Sequence, residues 1–257
     1  MTTSPQGPTA ADHALAADLA RRAGELLLEL RATHHPGADP TPLRKAGDQR
    51  SNELLLAGLH EAVPDDAVLS EESKDDPARL HATRVWIIDP LDGTREFGEP
   101  PRTDWAVHVA LTIGGRPVAG AVALPALDLV LGSDPPASLA APSEGPVRLV
   151  VSRTRPPKAA TFLADRLDAQ LIEMGSAGAK AMAVVRGEVD VYVHSGGQYE
   201  WDSCAPVAVA SAAGCHCSRI DGSPLRYNNE DPYLPDLLIC RPELAERVLD
   251  ALADFED

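Results

Sequence analysis

Two aspartates three positions apart stand where an apolar stretch of the chain breaks into a turn. Residues 85–88 are aromatic or β-branched, which favours a buried strand, and Pro90 and Gly93 then end that pattern. Carboxylates beside a buried strand need a stabilising partner, and Asp89 and Asp92 offer the oxygen ligands that hard divalent metals take. The pattern predicts a metal site, although an Asp-Gly pair alone would indicate only an ordinary turn.

Two further acidic sites strengthen this interpretation. Glu71 and Glu72 follow a short strand-like segment, and Asp202 stands after Trp201 at the predicted start of a helix. Adjacent glutamates on a loop are commonly just solvated, so Glu71 and Glu72 support a metal site only in combination with the other acidic sites. Converging carboxylates suit the hydrolysis of a phosphate ester, because divalent ions neutralise the phosphate oxygens, activate water and stabilise the leaving oxygen.

Other acid-rich motifs fit the sequence less well. The haloacid-dehalogenase phosphatase motif, D-x-D-x-T, separates its acids by two residues, whereas Asp89 and Asp92 are three apart. The alternating ligands of an EF-hand are missing, and there is neither a phosphate-binding G-x-x-x-x-G-K-[ST] loop nor a G-x-S-x-G elbow. The one-residue spacing in Cys215-His216-Cys217 differs from that of ordinary zinc sites, so we interpret the four cysteines as incidental thiols.

The composition sets the class of protein. A chain of 257 residues, 44% of them hydrophobic, can bury a large core. Its formal net charge of −16 disfavours binding to polymeric DNA or RNA. No apolar run reaches the length of a membrane span, and the N-terminal residues do not resemble a signal peptide. We therefore expect a cytoplasmic protein that acts neither on nucleic-acid polymers nor at a membrane.

The acidic residues must be positioned by a mixed fold. In the first half, hydrophobic periodicity predicts helices over residues 9–31 and 48–62, with a loop over residues 33–42 between them. Strands follow over residues 67–70 and 85–88, and then an antiparallel meander over residues 105–113, 117–125 and 127–132.

The second half alternates strands and helices. Strands are predicted over residues 148–152, 171–174, 190–194 and 237–240, and helices over residues 157–170, 177–186, 202–213 and 242–255. A link over residues 133–146, rich in Pro, Ala and Ser, is the predicted boundary between the halves. We expect an α+β half over residues 1–145 that carries most metal ligands, and an α/β half over residues 146–257 that carries substrate-binding elements and the last ligand.

The Glu-Glu pair, the W-x-x-D-P-x-D-G-T string from Trp86 to Thr94 and the later Trp-Asp occur in the order typical of a known family. With them, the chain resembles the inositol monophosphatase superfamily over nearly its whole length. Residues 152–157 and 175–182 are similar, more narrowly, to 3′(2′),5′-bisphosphate nucleotidases of the actinobacterial CysQ type. The resemblance implies a layered αβαβα sandwich of the inositol monophosphatase and fructose-1,6-bisphosphatase type.

The resemblance also implies a magnesium site of two to three ions. Glu71, Asp89 and the backbone carbonyl of Leu91 resemble the ligands of a first ion. Asp89, Asp92 and Asp202 resemble those of a second, with Asp89 bridging the two, and a weaker third ion is expected near Glu71.

The catalytic residues implied by the resemblance are Glu71, Thr94 and Asp48. Glu71 and Thr94 would hold the nucleophilic water, and Asp48 would hydrogen-bond Thr94, although the sequence alone favours Asp48 as an ordinary N-cap. The backbone amides of Gly93 and Thr94 would face the phosphate.

Substrate-binding residues are expected in the second half. Arg153 and Arg155 could hold a second phosphate, or simply balance charge in an acidic protein, and Lys180 could be a surface cation of a helix. The residues implied to bind substrate are Gly93, Thr94, Ser152, Arg153, Arg155, Gly175, Ser176, Lys180 and Glu200. Gly178 stands where members that prefer inositol phosphate commonly have alanine, which puts inositol phosphate in doubt as the preferred substrate.

The function implied is that of a lithium-sensitive, magnesium-dependent phosphomonoesterase. It would convert 3′-phosphoadenosine 5′-phosphate (PAP) into AMP and phosphate, recycling a by-product of sulfate assimilation, as a monomer or homodimer. One alternative is the same chemistry on inositol phosphate or fructose 1,6-bisphosphate. Another is an inactive regulatory protein that binds metal and anions.

Overall fold

Two five-stranded sheets and their flanking helices form the fold. The computed structural model describes residues 7–35, 37–142 and 144–255. The α-helices in these ranges are α1 (Ala10–Ala32), α2 (Thr41–Ala62), α3 (Thr94–Phe97), α4 (Lys158–Leu167), α5 (Ala177–Val185), α6 (Glu200–Ala212) and α7 (Ala245–Leu252). The strands are β1 (Ala67–Ser70), β2 (Arg84–Asp92), β3 (Ala106–Ile113), β4 (Arg116–Leu124), β5 (Leu129–Gly132), β6 (Arg148–Ser152), β7 (Gln170–Met174), β8 (Val191–Tyr199), β9 (His216–Ser218) and β10 (Tyr233–Cys240).

The first sheet has the order β1-β2-β3-β4-β5. β1 runs parallel to β2, and the other neighbours are antiparallel, which confirms the predicted meander. α1 and α2 cover one face of this sheet, where Leu19, Leu27 and Leu55 pack against Trp86 and Val109. Both glutamates that follow β1 therefore emerge beside the end of β2.

The second sheet has the order β7-β6-β8-β10-β9. α5 and α6 lie between the two sheets, since one core cluster joins Val122 of β4, Met182 of α5, Ala205 of α6 and Val150 of β6. A separate cluster packs α4 and α7 on the outer face of the second sheet. The layers are thus helix, sheet, helix, sheet, helix, and the predicted αβαβα sandwich is confirmed.

The start of α2 corrects one prediction. The helix begins at Thr41, not at Asp48, so Asp48 is no N-cap but lies two turns inside the helix. Pro42 suits the first helical turn, where its missing amide hydrogen costs nothing, and the carboxylate of Asp39 accepts from the Thr41 amide at 3.0 Å. Gly47 lies inside the helix, where a Cβ would lie 2.8 Å from a methyl of Leu91.

Other boundaries differ at element ends. α1 is confirmed, with Thr9 as its cap. β8 and β10 are longer than predicted, α3 and β9 are short elements without a sequence signal, and α7 begins at Ala245 after a 3₁₀ turn. The division at residue 145 stays a prediction. Within the described ranges, no helix combines the length and apolarity needed to cross a bilayer.

Arg84 ties the first helix to the first sheet. Its guanidinium pairs with Asp12 of α1 at 2.6 Å and with Asp66, just before β1, at 2.9 Å. Asp66 also accepts from the indole of Trp86 at 2.9 Å, and Asp12 closes the capping box with Thr9. Because Asp12 is buried, loss of this cation would leave a carboxylate without its main partner.

Arg84→Met should lower the free energy of unfolding at pH 7 by about 2 kcal/mol. Burial alone would raise the pKa of Asp12, but hydrogen bonds from Arg84 and Thr9 hold that pKa below its ordinary value. A carboxyl with a lowered folded pKa contributes stability at neutral pH that is lost as the pH falls through that pKa. Urea denaturation at pH 7 and in acid should therefore show the difference shrinking in acid.

Arg22→Met is the matched control. Arg22 pairs with Asp18 on an exposed face of α1, so its removal should cost less than about 1 kcal/mol. Equal losses for the two variants would contradict the role given to Arg84.

Candidate metal centre and active site

A bulge at the end of β2 brings two aspartates to one side of the sheet. Asp89 pairs with His108 and Asp92 with Ala106, so β2 advances three residues while β3 advances two. The extra residue breaks the alternation that would send residues three apart to opposite faces. Pro90 suits the bulge because it has no amide hydrogen to leave unpaired, and its carbonyl accepts from Ser51 Oγ at 2.6 Å.

Asp202 completes a cluster of three carboxylates. One oxygen each from Asp89, Asp92 and Asp202 lies within 4.8 Å of the others. Asp202 is in the first turn of α6 and accepts from the Tyr199 amide at 2.7 Å. Burial raises the pKa of Asp202 to about 6, and the charge of Asp92 adds to the shift. The cluster therefore concentrates negative charge that its protein surroundings only partly offset.

Glu71 lies beside this cluster. The parallel register pairs Ser70 with Ile88, which places Glu71 next to Asp89. Desolvation raises the pKa of Glu71 to about 7, and the charges of Asp202 and Asp92 act in the same direction. Burial, together with the charges of Glu71, Asp92 and Asp202, raises the pKa of Asp89 well above its ordinary value.

Asp92 differs from the other acids because the start of α5 surrounds it with donors. Its carboxylate accepts from Ser176 Oγ at 2.5 Å, from the Ala177 amide at 3.1 Å and from the Gly178 amide at 2.6 Å. Burial alone would raise the pKa of Asp92, but His108, Lys180 and Ser176 hold it well below its ordinary value. Asp92 is thus a fixed negative charge.

Thr94 and Asp48 are in contact, as the sequence analysis expected. Thr94 Oγ1 lies 3.1 Å from Asp48 Oδ1 and 3.1 Å from the carbonyl oxygen of Leu91. Burial raises the pKa of Asp48 to about 6, and Glu72 contributes to the shift. Gly93, at φ 83°, permits the turn, and a Cβ there would lie 3.2 Å from the carbonyl oxygen of Asp104.

His108 is a residue of the site that sequence reasoning missed. It is fully buried on β3, with Nδ1 3.0 Å from the carbonyl oxygen of Trp201 and Nε2 3.2 Å from Asp92 Oδ2. Burial alone would lower the pKa of His108, but its contacts with Asp92 and Trp201 outweigh that effect and raise it. The available signal was a lone polar residue in a strand that is otherwise almost wholly apolar.

Comparison with known proteins places the chain in a family. The model of the inositol monophosphatase family matches residues 11–255. The chain belongs to this family. It is 56% identical over 241 residues to the 3′-phosphoadenosine 5′-phosphate phosphatase of Mycobacterium bovis, which covers 90% of each chain, and 54% identical over 256 residues to that of Mycobacterium leprae, which covers 95% of this chain and 94% of the relative.

Solved structures of family members share the fold. CysQ from Bacteroides thetaiotaomicron superposes with a TM-score of 0.75 at 28% identity, covering 90% of this chain and 97% of that one. Inositol monophosphatase-II of Staphylococcus aureus, bound to inositol monophosphate, superposes with a TM-score of 0.74 at 20% identity, covering 93% and 92% of the two chains.

The residues predicted to bind substrate have varied surroundings. The Gly175 amide donates a hydrogen bond to Asp104 at 2.6 Å. Ser176 Oγ donates to Asp92 and, as the N-cap of α5, accepts from the Ala179 amide. Lys180 is buried, unlike a surface cation, and donates to the Ser176 carbonyl at 2.6 Å. Burial lowers the pKa of Lys180. The charges of Asp92 and Asp202 act on it in the opposite direction, so Lys180 lies near the acid cluster.

Two predicted substrate residues are engaged by protein groups. Arg153 pairs with Glu96 at 2.6 Å and with Glu99 at 2.7 Å. Glu200 is fully buried and accepts from the backbone amides of Asn228 and Asn229 at 2.6 and 2.8 Å.

By contrast, Arg155 is exposed, and Ser152 Oγ accepts from the Arg155 amide at 3.3 Å. The substrate-binding roles all stay predictions, namely those of Gly93, Thr94, Ser152, Arg153, Arg155, Gly175, Ser176, Lys180 and Glu200.

Asp89→Asn should stabilise the metal-free protein and weaken its stabilisation by Mg²⁺. The change removes one of several buried carboxylates that repel each other, so in EDTA the Tm should rise by about 2–4 °C for each 1 kcal/mol of repulsion relieved. Because the pKa of Asp89 is raised, its charge costs most stability at high pH, and the gain should shrink as the pH falls. Thermal scans with EDTA and with Mg²⁺ measure both effects.

Asp18→Asn, on the exposed face of α1, is the control and should leave the response to Mg²⁺ unchanged. An Asp89→Asn protein that melts below the wild type in EDTA would contradict the repulsion argument.

Proposed function

We propose that the protein is a magnesium-dependent phosphomonoesterase that hydrolyses the 3′-phosphate of PAP to AMP and phosphate. The observation that carries the proposal is the cluster of the buried Asp89 and Asp92 with the half-buried Asp202, and Glu71 beside it. The choice of substrate is supported by 54–56% identity to mycobacterial proteins named for that activity. In this proposal the enzyme is cytoplasmic and acts as a monomer or homodimer.

The donor set fits magnesium. All side-chain ligands are carboxylate oxygens, the ligands that hard divalent ions prefer. The buried charge of Asp89 and Asp92 calls for a cation. In this proposal Glu71, Asp89 and the Leu91 carbonyl hold one ion, and Asp89, Asp92 and Asp202 hold a second. When bound, two to three ions would neutralise the phosphate oxygens and stabilise the leaving oxygen.

Thr94 and Glu71 would orient the attacking water. Thr94 has one hydroxyl hydrogen to donate, to Asp48 or to the Leu91 carbonyl, so its oxygen is left with lone pairs that accept from water. The carboxylate of Glu71 would accept the second hydrogen. As the water oxygen bonds to phosphorus, one of its protons would pass to Glu71, which returns it to solvent. The bond from phosphorus to the 3′ oxygen breaks, and that oxygen leaves as a hydroxyl after taking a proton from a solvent water.

The proposal is tested by phosphate release from a panel of substrates. Purified protein with Mg²⁺ should show its highest kcat/KM for PAP, compared with inositol 1-phosphate and fructose 1,6-bisphosphate. Thr94→Ala should lower kcat about 10²- to 10⁴-fold, which also excludes a contaminating phosphatase. Higher kcat/KM for inositol 1-phosphate than for PAP would overturn the substrate assignment, and no hydrolysis of any of them would overturn the activity.

Arg155 is the better candidate for the 5′-phosphate that is not cleaved. The guanidinium of Arg153 is held by two carboxylates, whereas Arg155 is exposed. Burial lowers the pKa of His194 to about 4, and the charges of Lys180 and Arg155 both contribute. The charges of Arg155 and Lys180 therefore both reach His194 on β8. An anionic group of the substrate bound there would be attracted by both.

Arg155→Ala should lower kcat/KM for PAP about ten- to a hundredfold, the effect of losing a charge-assisted hydrogen bond. Inositol 1-phosphate has no second phosphate, so its kcat/KM should hardly change. Arg153→Ala should instead reduce kcat/KM for both substrates and lower the Tm, because it leaves the buried Glu96 unpaired.

Arg166→Ala, on the surface of α4, is the control and should affect neither substrate. Equal losses on both substrates in Arg155→Ala would show that Arg155 does not discriminate between them.

A further inference from the structure

His108 lies between the two arms of the acid cluster. Asp89 and Asp92 come from β2, whereas Asp202 comes from the first turn of α6, which follows much later in the chain. The imidazole reaches both arms, with Nε2 3.2 Å from Asp92 Oδ2 and Nδ1 3.0 Å from the carbonyl oxygen of Trp201. Trp201 precedes Asp202, so a shift of the ring would move a ligand on each side.

Both neighbours of the ring are acceptors. A carbonyl oxygen only accepts, so Nδ1 carries a hydrogen and donates to Trp201. The Nε2 contact with Asp92 is a charge contact without well-directed hydrogen-bond geometry. Nδ1 also lies 4.0 Å from Asp89 Oδ2, so the ring is close to both aspartates of β2.

Gly178 is shaped to this ring. A Cβ built at Gly178 would lie 2.0 Å from His108 Nε2 and 3.0 Å from Cδ2 and Cε1. The ring is enclosed and has no flexible end to swing aside, so any side chain at residue 178 must displace it. The Gly178 amide donates to Asp92 Oδ2 at 2.6 Å, the same oxygen that Nε2 approaches. The missing side chain thus lets α5 and the imidazole approach one carboxylate oxygen together.

We propose that His108 and Gly178 form a matched pair that positions Asp92 and the first turn of α6 for cation binding. His108 is a positioning residue that acts through Asp92 and Trp201. Gly178 gives it room. The inference rests on the proposed metal centre and not on the identity of the substrate.

The test measures binding of Mn²⁺ alone, by isothermal titration calorimetry, with thermal melting of the same proteins in EDTA. His108→Ala and Gly178→Ala should each weaken Mn²⁺ binding about ten- to a hundredfold, the usual effect of losing a residue that orients metal ligands. Gly178→Ala should also lower the Tm, because its methyl group collides with the ring. In the double variant His108→Ala/Gly178→Ala, the Tm should rise above that of Gly178→Ala while Mn²⁺ binding stays weak.

Two conservative variants separate the contacts of the ring. His108→Asn can place a donor near the Nδ1 position, facing Trp201, and His108→Gln can place one near the Nε2 position, facing Asp92. Each should bind Mn²⁺ more tightly than His108→Ala, which a role in core packing alone would not predict. If His108→Ala fails to fold, Gly178→Ala decides the question, and wild-type Mn²⁺ affinity in that folded variant would overturn the inference.

Controls repeat each change elsewhere. His13→Ala removes a partly buried imidazole that contacts Ser133, and Gly58→Ala adds a methyl that would lie 2.4 Å from Leu19. Both should leave Mn²⁺ affinity unchanged. Wild-type affinity in folded His108→Ala would overturn the inference, as would a double variant no more stable than Gly178→Ala.

Failure of this inference and failure of the proposed function are distinguishable. A wild-type protein that binds Mn²⁺ but hydrolyses none of the tested phosphate esters would overturn the function and leave the pair to be judged on affinity. Hydrolysis of PAP by the wild type, together with unchanged Mn²⁺ affinity in His108→Ala, would support the function and overturn the role of the pair.

Discussion

The close burial of several carboxylates in one small volume is the constraint on which this structure depends. Charged groups of one sign repel each other strongly where water is scarce, and Asp89 is almost completely buried among Glu71, Asp92 and Asp202. Two kinds of partner can relieve this, namely fixed protein donors and cations. The structure supplies several fixed donors to Asp92, but far fewer to Asp89 and Glu71.

This difference explains the architecture around the site. The start of α5 gives Asp92 two backbone amides and the hydroxyl of Ser176, while Lys180 adds a buried positive charge. α5 can reach the end of β2 only because it lies between the sheets, where the same layer also holds α6 and Asp202. The central helical layer therefore brings together ligands from distant parts of the chain.

Much of the fold could be predicted because its signals are local. The stripe of leucines in α1 and the meander after Gly115 follow from hydrophobic periodicity and turn residues, and both are present. The predicted start of α2 was wrong because the prolines up to Pro42 suit a loop when the sequence is considered alone. Pro42 is tolerated because it lies in the first helical turn. Gly47 lies farther inside the helix and packs against Leu91 of β2, a tertiary contact that the local sequence does not reveal.

The residues of the site likewise divide into those with a local sequence signal and those that depend on tertiary contacts. Asp89, Asp92 and Asp202 were predictable because their motifs are contiguous in sequence, and the structure brings them together. His108 was not predictable, since a single histidine in an apolar strand is ordinary and its partners Asp92, Trp201 and Gly178 lie on three other elements. Gly178 was noticed only as a departure from the alanine common in members that prefer inositol phosphate. The physical reason for it, a ring 2.0 Å from its absent Cβ, lies seventy residues earlier in the chain. A residue that departs from a family motif, such as Gly178, is therefore best understood together with the residue it contacts. Here that residue is His108, whose ring occupies the space that a side chain at residue 178 would need.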